Sequence, residues 1–341
     1  MAQTDGSMDA AALPRSWPAG LSLPDDLPCD EQRRRNHIEE FAKGLADCTC
    51  FTLDAAALPL HIEIISVACP KLQHLDLSGC SNAVDDDTAV FIAELSTLVT
   101  LRLAHCAALT DVGLGALATG PAVESREVRT GVRSRGLYAA LGAALGGTEP
   151  GLPSLTSLDL SGCVHVGDGG LMRIAEGCAA LAELSLSGCV GVRDRGILAV
   201  ARNRRLKSVV LDGCSRVSDT AVCTLARQCP LEALSLANGG PISAFAARAL
   251  AEDCGKTLTT LDLSGHATLD ADACVRALRG RCHHLRELRL NRCQRLSDAG
   301  VRDALATSDA LPALIALEVD GCAMLSEEMA QSMREVMGVA C

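Results

Sequence analysis

The chain of 341 residues is 48% hydrophobic and 21% charged, a balance that excludes a disordered polymer and suits a large buried core. Its net charge of −11 and aromatic content of 2% exclude a nucleic-acid reader, which needs clustered Lys or Arg and stacking rings. No run of about 18 apolar residues occurs, so neither a membrane-spanning helix nor a membrane partner is expected.

Residues 1–28 carry Pro14, Pro18, Pro24 and Pro28 and predict an extended tail. Asp5 and Asp9 stand where a signal peptide carries basic residues, so a cytoplasmic location is expected. From Asp30 to Leu45 the pattern turns helical, with Ile38, Phe41 and Leu45 on one face. Residues 29–44 are therefore expected to cap the structure that follows, and the basic run Arg33 to Arg35, beside Glu31 and Glu39, is its solvated face.

From residue 45 to 341 one template recurs, Leu-x-x-Leu-x-Leu-x-x-Cys, with clear copies beginning at Leu72, Leu98, Leu155, Leu181, Leu206, Leu231, Leu258, Leu285 and Leu314. Apart from one gap the copies are 25 to 29 residues apart. Leu72 to Cys80 and Leu155 to Cys163 are nearly ideal, whereas Val209 and Val319 replace Leu, and Gly239 and His266 replace the closing Cys. Leu45, Cys48 and Cys50 fit the same spacing 27 residues before Leu72. The 57-residue gap between Leu98 and Leu155 is expected to hide a degenerate repeat near 121–150, with Val123, Arg126 and Val128 at the leading positions. That predicts about eleven layers.

Within each layer the Leu-x-Leu alternation has the period of a strand with its leucines inward. Thr110-Asp111, Ser218-Asp219 and Ser297-Asp298 then precede helical runs, where hydroxyl and carboxylate groups can satisfy free helix amides. The expected fold class is α/β: a solenoid with a parallel sheet on its concave face and helices on its convex face.

The phrase from Cys69 to Cys80, CPKLQHLDLSGC, together with the Asp-x-Gly-Leu turn from Asp111 to Leu114, resembles the cysteine-containing leucine-rich repeat. Residues 45–341 carry the resemblance. That subfamily includes F-box/leucine-rich-repeat proteins, relatives of the antagonist of mitotic exit network, and leucine-rich subunits of the ciliary dynein regulatory complex. The resemblance implies a non-catalytic scaffold subunit of a larger cytosolic or cytoskeletal assembly, of the ciliary axoneme kind. The alternative it implies is the substrate-recognition subunit of an SCF-type ubiquitin ligase. No F-box is recognisable: Trp17 precedes Leu23-Pro24 and Leu27-Pro28, which alone echo its start, and a single helix follows.

The side chains that might carry chemistry have structural explanations, so no enzyme activity, cofactor or metal is expected. Of the 18 cysteines, Cys80, Cys106, Cys163, Cys189, Cys214, Cys293 and Cys322 close the template, and Cys69, Cys178, Cys229, Cys254 and Cys282 end helices. Cys48-x-Cys50 and Cys282-His283-His284 lack a second pair at zinc spacing. Gly255-Lys256-Thr257 imitates the end of a phosphate loop, but Leu250 stands where its first Gly belongs and the triplet leads into a strand. Gly167-x-Gly169-Gly170 is the turn into a repeat helix.

The remaining functional candidates are surfaces that bind other proteins. Template position five faces the concave groove with Asp76, Arg102, Glu127, Asp159, Ser185, Val210, Ser235, Asp262, Arg289 and Glu318, and Glu183, Asp212, Glu287 and Asp320 add to it. A groove this acidic, with Arg102, Arg129 and Arg289 as its bases, is expected to accept a basic segment of a protein partner. Met329, Met333 and Met337 recur every four residues on a terminal helix and form a second candidate, an adaptable docking stripe.

Overall fold

The computed structural model describes residues 45–119, 151–305, 311–329 and 331–332. Strands β1 (Cys50–Thr52), β2 (His74–Asp76), β3 (Thr100–Arg102), β4 (Ser157–Asp159), β5 (Glu183–Ser185), β6 (Ser208–Val210), β7 (Ala233–Ser235), β8 (Thr260–Asp262), β9 (Glu287–Arg289) and β10 (Ala316–Glu318) form one sheet in sequential order. Every pairing is parallel and keeps template positions three, four and five aligned, as in Leu75 with Leu101 and Leu261 with Leu288. The alternation expected of Leu-x-Leu is observed: the middle residue of each strand is buried, and its neighbours are more exposed at every strand but β3.

The helices α1 (Pro59–Ala68), α2 (Ala89–Ile92), α3 (Asp111–Thr119), α4 (Asp168–Gly177), α5 (Asp194–Ala201), α6 (Asp219–Gln228), α7 (Ala244–Asp253), α8 (Ala271–Leu278) and α9 (Asp298–Leu305) each return the chain to the next strand. Neighbouring strands lie about 4.8 Å apart, whereas packed helices need about 10 Å. The helix side of the stack is therefore the longer one, and the sheet lines the inner face. Between the two runs a single apolar core from Leu45 to Cys322, in which the template leucines are almost wholly buried.

From β2 onward the turn after each strand is the same in every layer. Position eight is left-handed from Gly79 (φ 80°) to Gly321 (φ 69°), a conformation that glycine adopts freely. His105, Asn238 and Arg292 adopt it too, at φ 61°, 52° and 58°. The turn N–H donates to the next layer's position-seven carbonyl, as Gly188 does to Asp212 at 2.7 Å, so the ladder continues beyond the strand.

One sequence expectation is corrected, and a second lies outside the described residues. In the first layer Phe51 and Leu53 occupy the inward positions, because β1 pairs Cys50 with His74 and Phe51 with Leu75. Leu45, Cys48 and Cys50 matched the spacing, but the larger apolar pair wins the core and Cys48 and Cys50 are only half-buried. Second, β3 pairs directly with β4, Thr100 opposite Ser157, and α3 packs on α4. The degenerate repeat expected at 121–150 lies outside the described residues. Ten layers, rather than about eleven, are formed by the described residues. Residues 1–44, 120–150 and 333–341, with the tail, the capping helix, Glu127, Arg129, Met333 and Met337, lie outside the described residues.

Candidate functional site

Three hydrogen-bond ladders hold the layers rigid and so set the groove. The first belongs to the closing cysteines, whose thiols donate to the carbonyl of the preceding layer's position-six leucine. Cys163 reaches Leu103, Cys189 Leu160 and Cys214 Leu186, each at 3.1 Å. Where His266 replaces Cys, its Nε2 lies 2.8 Å from the Leu236 carbonyl, and the imidazole does the thiol's work. A second set sits at the helix ends: Cys229 and Cys254 donate to Ala201 and Ala226 at 3.4 and 3.2 Å, satisfying carbonyls that a helix C-terminus leaves open.

The third ladder is made of carboxylates. Asp86 accepts the Thr110 N–H (2.8 Å) and hydroxyl (2.6 Å), Asp194 those of Ser218 (2.7 and 2.6 Å), and Asp272 those of Ser297 (2.9 and 2.6 Å). Each carboxylate thus serves the helix start of the following layer, while hydroxyls such as Ser218 cap their own helix by accepting from Thr220. The glycine of the Asp-x-Gly-Leu turn lets the carboxylate approach: a Cβ at Gly113 or Gly196 would press on Asp86 or Asp168, and both glycine amides donate to those carboxylates at 2.9 Å.

Burial keeps the thiols inert. It pushes Cys106, Cys189 and Cys282 up to about 12, and Cys80 and Cys163 up to about 11, so none offers a thiolate near neutrality. The sixteen described cysteines are unbridged, and no cluster of ligands able to hold a metal occurs among the described residues. The phosphate-loop imitation is structural: Thr257 donates its hydroxyl to Leu231 at 2.7 Å, and Gly255 packs against the Arg281 carbonyl.

The sheet brings the groove residues together in the expected order, and it pairs the bases that the sequence left unassigned. Arg102 lies 3.7 Å from Asp76. Arg289 reaches Glu318 at 2.9 Å and Glu287 at 3.0 Å, and Asn291 completes the cluster by donating to Glu318 at 2.9 Å. Burial pushes the Glu318 carboxyl up, but the Asn291 and Arg289 hydrogen bonds outweigh it and hold the group below the usual carboxylate range.

Between these clusters, hydroxyls orient the carboxylates. Ser161 donates to Asp159 at 2.6 Å and meets Ser185 at 2.7 Å, and Ser235 donates to Asp212 at 2.5 Å. Asp159, Glu183, Asp212 and Asp262 make no ion pair among the described residues. Asp262 lies opposite Arg289 and feels its charge, so the groove can present uncompensated carboxylates at Asp159, Glu183 and Asp212.

A family model for the leucine-rich repeat matches residues 68–87, 94–118, 151–175 and 281–303. The fold is a leucine-rich-repeat solenoid. Among solved structures, the complex of Rad7 and Elc1 in yeast matches at 14% identity and TM-score 0.45, over 86% of this chain and 84% of that one. The leucine-rich repeat-containing protein LegL7 from Legionella pneumophila matches at 16% identity and TM-score 0.45, over 90% and 95%. No curated protein matches the sequence.

At the last layer of this leucine-rich-repeat solenoid, Met329 packs partly buried on the core and donates its N–H to the Ser326 hydroxyl at 3.1 Å, while Met324 is exposed. No helix among the described residues is long and apolar enough to cross a membrane. Sequence reasoning overlooked Asn291 and a concentration of bases in Arg202, Arg204, Arg205 and Lys207, four within six positions. Its signal was present but broken by Asn203 and Leu206.

Proposed function

We propose that this solenoid is a non-catalytic scaffold subunit whose concave face holds a basic segment of a protein partner. The observation that carries the reading is the set of carboxylates from β4 to the turn after β6, Asp159, Glu183 and Asp212, left without an ion pair while Arg102 and Arg289 are both engaged. Carboxylates already oriented by Ser161, Ser235 and backbone amides need little reorganisation to meet Lys or Arg. The leucine-rich-repeat fold supports protein binding in general. Membership of a ciliary axoneme assembly is the finer proposal, and it rests on the subfamily resemblance.

Purification of the native complex tests the reading, with wild type compared with a Glu183→Lys, Asp262→Lys variant. Partners carrying basic segments should be retained by the first and lost from the second, with an unchanged far-ultraviolet spectrum. Retention of every partner by the variant would refute the groove as the site. Tubulin and dynein-linked coiled coils among the partners would support the axoneme; adaptor and cullin subunits would overturn it in favour of a ubiquitin-ligase receptor.

A further inference from the structure

The chain is acidic overall, with 42 Asp and Glu against 31 Lys and Arg, yet one rim of the solenoid runs against that balance. It is the edge where each helix ends and the next strand begins. In the layer of β6 it carries Arg202, Arg204, Arg205 and Lys207, and in that of β9 Arg281, His283, His284 and Arg286, with Lys256 in the β8 layer between them. The backbone places them on one edge: Glu232 N donates to the Lys207 carbonyl at 2.7 Å, Thr259 N to Glu232 at 2.7 Å and Arg286 N to Thr259 at 2.7 Å. Three layer steps separate Lys207 from Arg286, about 15 Å along the sheet.

Some of the rim is neutralised internally. Lys207 pairs with Glu232 at 2.8 Å, and Arg227 lies 4.0 Å from Asp253. Arg202, Arg204, Arg205, Lys256, Arg281 and Arg286 make no ion pair among the described residues, and all six are exposed. Arg204 adds an observation of a different kind. Its backbone is left-handed, at φ 54°, in a turn closed by its N–H on the Ala201 carbonyl at 3.1 Å. The turn ahead of Leu285 makes its left-handed step with Gly280, at φ 66°. Glycine suits such a position, so Arg204→Gly can remove the charge without straining the turn.

We propose that this rim is a second docking surface, which takes an acidic segment of a protein partner. Five of the six unpaired cations are arginines, whose planar forks match carboxylates two bonds at a time. A nucleic-acid backbone fits less well. The rim offers no Phe, Tyr or Trp for stacking, and Glu232, Glu252 and Asp253 interrupt it, so a continuous polyanion would be repelled at its middle. An extended peptide of about five residues spans the distance and can place its carboxylates at the two arginine groups alone. The surface lies on the edge of the stack rather than in the groove, and it stands whether or not the groove binds a basic segment.

The test measures fluorescence anisotropy of a labelled oligoglutamate peptide titrated with the full chain at low and at physiological salt. The wild type should bind, more weakly as salt rises. Replacing Arg204→Gly together with Arg281→Ser should weaken binding roughly tenfold and leave the unfolding midpoint unchanged or higher, since glycine suits the turn. A control removing two charges from the opposite edge, Arg195→Ser with Arg216→Ser, should bind as wild type does. The proposal is overturned if the control loses as much affinity as the rim variant, if the peptide fails to bind at low salt, or if a single-stranded RNA of equal charge binds more tightly.

Discussion

The His105 imidazole lies across the α-carbon of Gly162, one layer further along the sheet, in the place where a Cβ on Gly162 would be. Asn238 covers Gly265 and Arg292 covers Gly321 in the same way. All six residues are left-handed. Wherever position eight carries a side chain, the next layer answers with glycine, because the side chain leans forward into the adjoining turn.

Gly162→Ala should accordingly cost about 2 to 3 kcal/mol, combining a left-handed residue with a Cβ and the clash with His105. His105→Gly alone should gain up to about 1 kcal/mol by relieving its own backbone. In the double variant the clash is gone, so the two changes should be non-additive by more than about 0.5 kcal/mol. Urea unfolding midpoints of the four proteins measure this, and strict additivity would show that the two residues do not touch.

The carboxylate ladder makes a prediction through its one broken rung. Asp219 accepts from Ser243 and Asp272 from Ser297, but at the helix start between them Ala244 stands where the carboxylate belongs, and Asp270 caps its own helix through Ala273 N at 2.9 Å. Ala244→Asp alone would bring a carboxylate up to Asp270 and should destabilise. Combined with Asp270→Ser it should restore the rung and gain about 1 kcal/mol. Conversely, Asp194→Ala removes the acceptor of both Ser218 donors and should cost about 2 kcal/mol. Thermal unfolding of the two singles and the double decides, and a double less stable than Ala244→Asp alone would sink the ladder.

These relationships also mark what was legible in the chain. Leucine spacing identified the inward positions of nearly every layer, because a period of 25 to 29 residues leaves few alternative registers. It misled at Cys48 and Cys50, where small residues fit the template by spacing while Phe51 and Leu53 had more apolar surface to bury. The thiol and carboxylate ladders were hidden because their acceptors and donors lie one full layer away; the Cys189 to Leu160 bond spans 29 residues. The acidic groove was legible from the template positions that face it, but Arg289's engagement with Glu318, again 29 residues on, emerged only with the register.

That engagement has a pH signature. Glu318 titrates below the usual carboxylate range when folded, so its contribution is present above its unfolded pKa and is lost as pH falls through the folded value. Both side chains are about a third exposed, at 31% and 39%, and solvent screening limits the pair to well under about 1 kcal/mol. Arg289→Leu should therefore shift the Glu318 carboxyl upward in an NMR titration while changing stability little. An unmoved titration would mean that Asn291 alone holds the group.

The largest pH effect should come from the cysteines, in the alkaline range. Burial holds Cys69, Cys106, Cys178, Cys189, Cys214, Cys274 and Cys282 near 12 in the folded chain. In the unfolded chain a thiol ionises near pH 8.5. Since the folded pKa is the raised one, this stability is complete below the unfolded pKa and drains away as pH rises toward the folded one. Each such thiol loses up to about 1.4 kcal/mol per pH unit in that window. Seven acting together exceed a typical folding margin of about 5 to 15 kcal/mol within one to two units. Cooperative loss of the far-ultraviolet signal is therefore expected near pH 10. Replacing Cys178 and Cys282 by Ala should lower stability at pH 7 through lost packing, yet make the alkaline decline shallower by removing two titrating groups. Thiol labelling at neutral pH supplies the second readout: half-buried Cys48 and Cys50 should react promptly, and the buried thiols only at the rate of unfolding. A chain that keeps its signal beyond pH 11.5, or whose buried thiols label as fast as Cys48, would contradict the burial on which the stacked layers depend.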